Sequence, residues 1–362
     1  MFNLKKFKDS KEVYRSFLDL YPSHPLLPDA LYGLQWSAEK MGEKMESSKV
    51  AKDFLEKFPN SAFAPNIQYR LADGLFHDEK YDEAVTAYKN LLEKYPDSAD
   101  SPRALFWMGT AMVKNDQSKE AQSVFEELLK KYPNDPLALE GQFSLASLRF
   151  EEQRFKDALD GYTRIFQNYP DHRLAPHSLF NSAICEKQLG HPDKALEYFQ
   201  KLLSDYTADP LAQEAGLQAG VLLEKNGRKE EAAKAYEITM KSDNQKLAVE
   251  AAFYHADLLK QQKKYEDAIG EFNSITVHYA KEDQWVVTAF AKIAECYEEM
   301  KQYSKAEEAY RRILKYTGVK AYRKATMKRI DALKPFLLKE KSKKAPKKSK
   351  RSARSTSPEG SK

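Results

Sequence analysis

One motif returns along most of the chain at a spacing of 37 residues. In residues 81–96, YDEAVTAYKNLLEKYP, apolar residues three and four apart predict an amphipathic helix that ends before Pro96. The small residue of this helix recurs as Ala84, Ala121, Ala158, Ala195, Ala232, Ala268 and Ala306, and its aromatic residue recurs as Tyr88, Phe125, Tyr162, Phe199, Tyr236, Phe272 and Tyr310. A period of about 20 to 50 residues predicts a solenoid, because one unit cannot bury its apolar stripe alone.

The spacing divides the chain into four parts. Residues 1–22 are expected to form a leading helix without a partner, residues 23–318 eight helix pairs, and residues 319–338 a capping helix. The first helices of the pairs are expected at residues 30–41, 66–78, 103–115, 140–152, 177–189, 214–226, 250–262 and 287–300. Prolines such as Pro28 and Pro65 are expected just before these helices. Residues 339–362 lack large apolar side chains and are expected to be disordered.

A second regularity links the two helices of a pair. A small residue in the first helix lies 12 residues before the alanine of the second, an aromatic residue follows that alanine by four positions, and proline follows it by twelve. In residues 69–96 this pattern consists of Leu71, Ala72, Leu75, Ala84, Tyr88 and Pro96, and it resembles the tetratricopeptide repeat. The unit here is longer than the family's usual length of about 34 residues. In this respect it is similar to bacterial cell-envelope repeat proteins, such as the Tol–Pal-associated cell-division coordinator and the outer-membrane assembly lipoprotein.

The resemblance implies an all-α fold, an α-solenoid in which antiparallel helix pairs form a right-handed superhelix. It also implies a non-enzymatic scaffold that binds a peptide or helix of a partner protein in a concave groove lined by first helices. Candidate contacts form an aromatic row, Tyr32, Tyr69, Phe106, Phe143, Phe180, Phe253 and Phe290. One turn further along lies a second row, Trp36, Asp73, Thr110, Ser147 and Asp257. Aromatic residues at helical spacing are also typical of a core, so the two interpretations of the aromatic row stay open.

The charge of the chain is concentrated at its C-terminal end. Residues 339–362 carry a net charge of +8, which leaves −3 for the rest of a chain whose total is +5. Clustered lysine and arginine side chains, Lys339 to Arg354, favour an alternative function, an adaptor for nucleic acid or anionic membrane. The segment has no aromatic residue to stack on bases, which weakens this alternative.

Enzymatic motifs do not emerge from the sequence. The seven histidines are scattered, no H-E-x-x-H or C-x-x-C is present, and no glycine-rich loop follows a strand pattern. Cys185 and Cys296 lie three repeats apart, too far for a disulfide. We therefore expect no catalytic residues, no metal site and no cofactor.

The N-terminal residues lack the apolar core of a signal peptide, and no stretch is long and apolar enough to span a bilayer. This predicts a cytoplasmic location. Because the first helix has no partner, the sequence could instead begin inside a longer protein, and a periplasmic or envelope-associated location is then the alternative.

Overall fold

The computed structural model describes residues 6–344, and every regular element in that range is a helix. The helices are α1 (Phe7–Leu20), α2 (Leu27–Lys40), α3 (Lys44–Lys57), α4 (Ala64–His77), α5 (Tyr81–Lys94), α6 (Ser101–Lys114), α7 (Ser118–Lys131), α8 (Pro136–Glu151), α9 (Phe155–Asn168), α10 (Ala175–Gln188), α11 (Pro192–Asp205), α12 (Pro210–Lys225), α13 (Lys229–Thr239), α14 (Gln245–Gln261), α15 (Tyr265–His278), α16 (Asp283–Glu299), α17 (Tyr303–Tyr316) and α18 (Lys320–Lys344). The predicted all-α solenoid class is confirmed.

The helices group into two units, one ending at Tyr198 and the other beginning at Phe199. In the first unit, α1 packs against α2, with the Tyr14 ring against Gly33, and paired helices follow from α2 onward. The second unit continues with paired helices and ends with α18. Within each unit, turns of a few residues join the two helices of a pair, which makes them antiparallel neighbours.

The first helices begin two to five residues earlier than the sequence prediction placed them. In α2, α4 and α6 the reason is the role of proline: Pro28, Pro65 and Pro102 lie inside the first helical turn, not before it. The amide groups of the first turn have no intrahelical acceptor, so a residue without an N–H is tolerated there.

The last helix also differs from its predicted bounds. Apolar periodicity ends at Leu338, but α18 runs on to Lys344, because lysine and glutamate have high helix propensity. Residues 339–344 of the predicted disordered tail are therefore helical. Residues 345–362, with most of the basic segment, lie outside the described residues.

Small and aromatic residues hold the two helices of a pair together. The recurring alanines and the aromatic residues four positions later are almost entirely buried. At two first-helix positions the fit requires glycine: a Cβ added at Gly109 would lie 2.8 Å from the ring of Phe125, and one added at Gly220 would lie 2.4 Å from the ring of Tyr236. The repeated small residues therefore make room for the aromatic ring of the second helix.

Each turn inside a pair contains one residue in the left-handed conformation. These residues are Gly42, Glu79, Asp116, Gln153, Gly190, Gly227, Lys263 and Lys301, with φ between 58° and 81°. The turn after α4 shows the reason: Lys80 N donates to Leu75 O at 3.0 Å, a bond that closes the helix only if the intervening residue has positive φ.

Candidate functional site

The rings of the aromatic row pack against the second helix of their own pair. The ring centroids of Phe106 and Phe125 are 6.1 Å apart, and those of Phe143 and Tyr162 are 5.4 Å apart. Phe125 and Tyr162 are fully buried core residues. One edge of each of these row residues therefore belongs to the core of its pair.

The seven rings differ in how much solvent reaches them. Tyr69 and Phe253 are 4% and 8% exposed and lie in the core. The remaining five, Tyr32, Phe106, Phe143, Phe180 and Phe290, are half-buried. In the first unit, the aromatic row thus presents half-buried rings on the three successive first helices α6, α8 and α10, whereas in the second unit Phe290 alone of the row is half-buried.

Residues of the next repeat cover part of the row, and the sequence analysis did not identify them. The guanidinium group of Arg103 lies 4.3 Å from the ring centroid of Tyr69, and that of Arg70 lies 5.6 Å from Trp36. In both pairs the two residues are 34 positions apart in the sequence, which is one repeat less about one helical turn. Tyr32 and Asn66 follow the same rule, with the Tyr32 hydroxyl donating to Asn66 Oδ1 at 3.4 Å. A cationic or polar residue 34 positions after a ring is the signal that could have revealed these contacts.

The second row contains hydroxyl groups that bond to their own helix. Thr110 Oγ1 donates to Phe106 O at 2.9 Å, and Ser147 Oγ donates to Phe143 O at 3.0 Å. Ser147 Oγ also lies 2.9 Å from the Tyr162 hydroxyl. Thr110 and Ser147 are half-buried, and these bonds satisfy their hydroxyl protons within the protein.

The two carboxylates of the second row have different electrostatic surroundings. Burial opposes ionisation of Asp257, but Lys292 at 2.6 Å and Gln261 at 3.1 Å outweigh it and lower its pKa. Burial also acts on Asp73, and there it is the largest effect and raises the pKa, because no lysine or arginine among the described residues forms an ion pair with this carboxylate. Asp73 is therefore the carboxylate of this row that a cationic or hydrogen-bonding partner would stabilise most.

A second polar cluster lies in the second unit, around His255 on α14. Its Nδ1 lies 2.6 Å from Glu271 on α15, and its Nε2 lies 3.9 Å from Glu237 on α13. The hydrogen bond to Glu271 raises the pKa of His255 against the opposing effect of burial. A cavity of about 730 Å³ adjoins this cluster.

Metal-binding groups and reactive thiols were two kinds of site that the sequence did not predict, and the described residues give the following picture of them. Among residues 6–344, no group of three or more His, Cys, Asp or Glu side chains is placed to hold a metal ion. Cys185 and Cys296 are buried free thiols, and burial raises their pKa values to about 12 and about 11. Both are therefore protonated near neutral pH and are poor nucleophiles.

Comparison with known families identifies the repeat. Sequence models described as Tetratricopeptide repeat match residues 75–142, residues 32–99, 183–244 and 217–281, and residues 289–316. These stretches together cover more than half of the chain, which therefore belongs to the tetratricopeptide repeat proteins. The resemblance seen in residues 69–96 is confirmed at the level of the family. No curated protein matches the sequence.

Several solved structures share the helical repeat. A tetratricopeptide repeat protein from Parabacteroides merdae is 16% identical, with a TM-score of 0.46 over 68% of this chain and 91% of that one. YrrB, described as a TPR protein with an unusual peptide-binding site, is 20% identical, with a TM-score of 0.44 over 56% of this chain and 98% of that one. PilF of Pseudomonas aeruginosa is 19% identical, with a TM-score of 0.43 over 60% of this chain and 92% of that one. The likeness concerns the fold alone.

Within the described range, no helix combines the length and the apolar character that crossing a membrane requires.

Proposed function

We propose that this protein is a non-enzymatic scaffold that binds a peptide or helix of a partner protein along its first helices. The observation that carries the proposal is the aromatic row in the first unit, in which Phe106, Phe143 and Phe180 on the successive first helices α6, α8 and α10 keep part of their surface open to solvent. Half-buried aromatic side chains held by a rigid core are effective anchors for a partner, because little side-chain entropy is lost on binding.

The second row supplies the polar contacts of the proposed surface. Burial raises the pKa of Asp73, and the cationic groups of Arg70 and Lys40 lie 5.6 Å and 5.9 Å from the ring centroid of Trp36. An approaching segment would meet alternating apolar and charged groups, which favours selective recognition over general stickiness.

The experiment compares the wild-type protein with a Trp36→Ala, Phe106→Ala, Asp73→Asn variant in quantitative affinity capture followed by mass spectrometry. We expect proteins retained by the wild type to be lost by about tenfold or more in the variant. A Gly318→Ala variant, between α17 and α18 and outside both cavities, is the control, because an added Cβ there would meet no atom within 4 Å. Equal retention by wild type and the triple variant would contradict the proposed surface.

The location of the protein belongs to the same proposal. We propose a cytoplasmic protein, with a periplasmic or envelope-associated assembly as the alternative suggested by the 37-residue repeat. Fractionation of the native producing cells, followed by immunodetection with antibodies to the repeat units, distinguishes the two.

The alternative function is an adaptor for nucleic acid or anionic lipid through Lys339 to Arg354. One observation favours this alternative: α18 continues to Lys344, so the first basic residues of the segment are part of a helix. Deletion of residues 345–362 separates the two functions. Partner capture that survives the deletion at high salt supports the scaffold, whereas loss of all binding supports the adaptor.

A further inference from the structure

A groove between α3 and α4 in the first unit lies at the same place in the repeat as the cavity beside His255, but its lining differs. It encloses about 610 Å³ and is lined by α2, α3 and α4. Leu71, Leu75 and Ala51 provide apolar lining, and Met45, which is 89% exposed, lies at the edge. Of the residues in the aromatic and second rows, only Asp73 lines this groove.

Within this groove, Gly74 leaves empty the place of one side chain. Two residues after the small residue of each later first helix, the chain has an apolar residue that is buried: Ala111, Leu148, Cys185, Leu222, Leu258 and Cys296. At Gly74, which occupies this position in α4, an added Cβ would meet no atom within 4 Å. The hollow thus corresponds to a side chain that the other repeats supply from within the chain.

A residue of the groove lining carries a buried acceptor without a partner. Gln35 is 1% exposed, and its Nε2 donates to Ser47 Oγ at 3.0 Å and to Glu39 Oε2 at 3.2 Å. Its Oε1 is buried without a hydrogen-bond partner, although Gln35 lines the groove. Burial of an unsatisfied carbonyl oxygen is unfavourable, so a donor entering the groove would relieve it.

The rim of the groove has excess positive charge. Lys44 is paired with Asp78, and Arg70 is paired with Glu39, so these four charges compensate one another. Asp73, the third carboxylate of the lining, has its pKa raised by burial. The remaining cations of the lining are exposed side chains, Lys49, Lys52 and Lys80.

We propose that this groove binds an acidic segment of a partner protein. One aliphatic side chain of the segment fills the hollow at Gly74, a neighbouring N–H or O–H donates to Gln35 Oε1, and its carboxylates lie beside Lys49 and Lys52. The basic C-terminal residues of this chain carry the same sign of charge as the rim and do not fit it. The inference rests on the proposed function in one respect, that the ligand of the chain is a segment of protein.

The test measures fluorescence anisotropy of a labelled synthetic peptide in which Asp and Glu residues flank a central Leu-Asn pair. We expect saturable binding to the full chain that weakens about tenfold or more with Gly74→Leu, because the new side chain fills the hollow. We also expect at least about tenfold weakening with the Lys49→Glu, Lys52→Glu variant, and weakening by salt. Gly270→Leu is the matched control, since Gly270 is also a helical glycine whose added Cβ would meet no atom within 4 Å.

Two further peptides make the test specific. A peptide with Lys at every acidic position, and one with Gly in place of Leu, should each bind about tenfold more weakly. Leucine favours the helix over glycine, so Gly74→Leu should keep or raise the thermal midpoint, and lost binding cannot then be attributed to unfolding. Selective labelling of methionine methyl groups should show the Met45 resonance shifting as the acidic peptide is added.

Each other outcome has a defined meaning. Peptide binding that is unchanged by Gly74→Leu overturns this inference, and if it is abolished by the Trp36, Phe106 and Asp73 triple variant, the proposed function survives without it. Absence of binding to every peptide also overturns the groove proposal, whereas the affinity capture described above still tests the scaffold. A concentration-dependent dimer that Gly74→Leu dissolves would identify a second copy as the occupant and would likewise overturn it.

Discussion

The eight left-handed turn residues provide a stability experiment with built-in controls. Five of them are not glycine, and all five have φ between 58° and 62°; Glu79, Asp116 and Gln153 are the three chosen for substitution. Their backbone cannot relax, because in the turn after α6 Gln117 N donates to Met112 O at 2.8 Å around Asp116. The strain of the left-handed conformation therefore persists in the folded state.

The magnitude follows from two opposing contributions. The left-handed conformation costs a residue with a Cβ about 1–2 kcal/mol, and glycine avoids this cost. Glycine in turn loses about 0.5–1 kcal/mol more conformational entropy on folding. We therefore expect Glu79→Gly, Asp116→Gly and Gln153→Gly each to raise the free energy of unfolding by about 0.5–1 kcal/mol. Their side chains are exposed, so little packing is lost.

The reverse substitutions test the same reasoning with the opposite sign. Gly42→Ala, Gly190→Ala and Gly227→Ala should lower the free energy of unfolding by about 0.5–1 kcal/mol. An added Cβ at these glycines meets no atom within 4 Å, so steric clashes with neighbours do not contribute. The assay is urea unfolding followed by far-UV circular dichroism, analysed for each variant at its own m-value, since long repeat arrays can depart from two-state behaviour. Glycine substitutions that destabilise as much as the alanine substitutions would refute the reasoning.

Two further predictions concern polar groups in the core. The Tyr88 hydroxyl is buried without a hydrogen-bond partner, so Tyr88→Phe should be neutral or stabilising by up to about 1 kcal/mol, whereas Tyr236→Phe, which removes the 2.9 Å bond to Glu224, should destabilise by about 1–2 kcal/mol in the same urea assay. His255 has a raised pKa beside Glu271, so its stabilising contribution should be complete below the unfolded pKa of about 6.5 and should be lost as pH rises through the folded pKa. The stability difference between wild type and His255→Gln, measured at several pH values, should shrink over that range, and a difference that grows with pH would contradict the assignment.

The sequence predicts the repeat and its phase because both depend on contacts inside one helix pair. The recurring alanine and aromatic residues pack against each other at fixed spacing, and Ala84 and Tyr88 are both fully buried as that spacing requires. The period can be read from one chain because every copy solves the same packing problem. The helix starts were misplaced because proline permits both a position before a helix and one in its first turn.

The exposure of the aromatic row could not be predicted in the same way. Tyr69 and Phe143 occupy equivalent positions, but Tyr69 is 4% exposed and Phe143 is half-buried. The guanidinium of Arg103, from the next repeat, lies 4.3 Å from the Tyr69 ring. Exposure therefore depends on a residue 34 positions away that the repeat pattern does not specify. Whether the row contacts a partner stays a prediction.

The repeat itself supplies a way to find functional positions in such a chain. The alanine and aromatic residues of the pair core and the conformation of the left-handed turn recur along the chain. A residue that differs from its equivalents at another position is therefore not required by the fold. Two such differences are Gly74, which corresponds to Leu258 in the second unit, and Met45, which corresponds to Glu230. Lys52 and Glu237 occupy a further pair of equivalent positions with opposite charge.

These departures change the surface between neighbouring pairs while the pair core stays the same. In the second unit, Leu258 is 1% exposed, and Glu230 and Glu237 line the cavity beside His255. In the first unit, Gly74 leaves the place of that leucine side chain empty, and Lys52 lines the groove where Glu237 lines the other. Equivalent grooves therefore differ in shape and in charge, so each should select a different ligand. An acidic peptide that binds the α3–α4 groove should accordingly not bind to the α13–α15 cavity. The variant that tests this is Gly74→Leu, in which the first groove is filled and the cavity is unchanged.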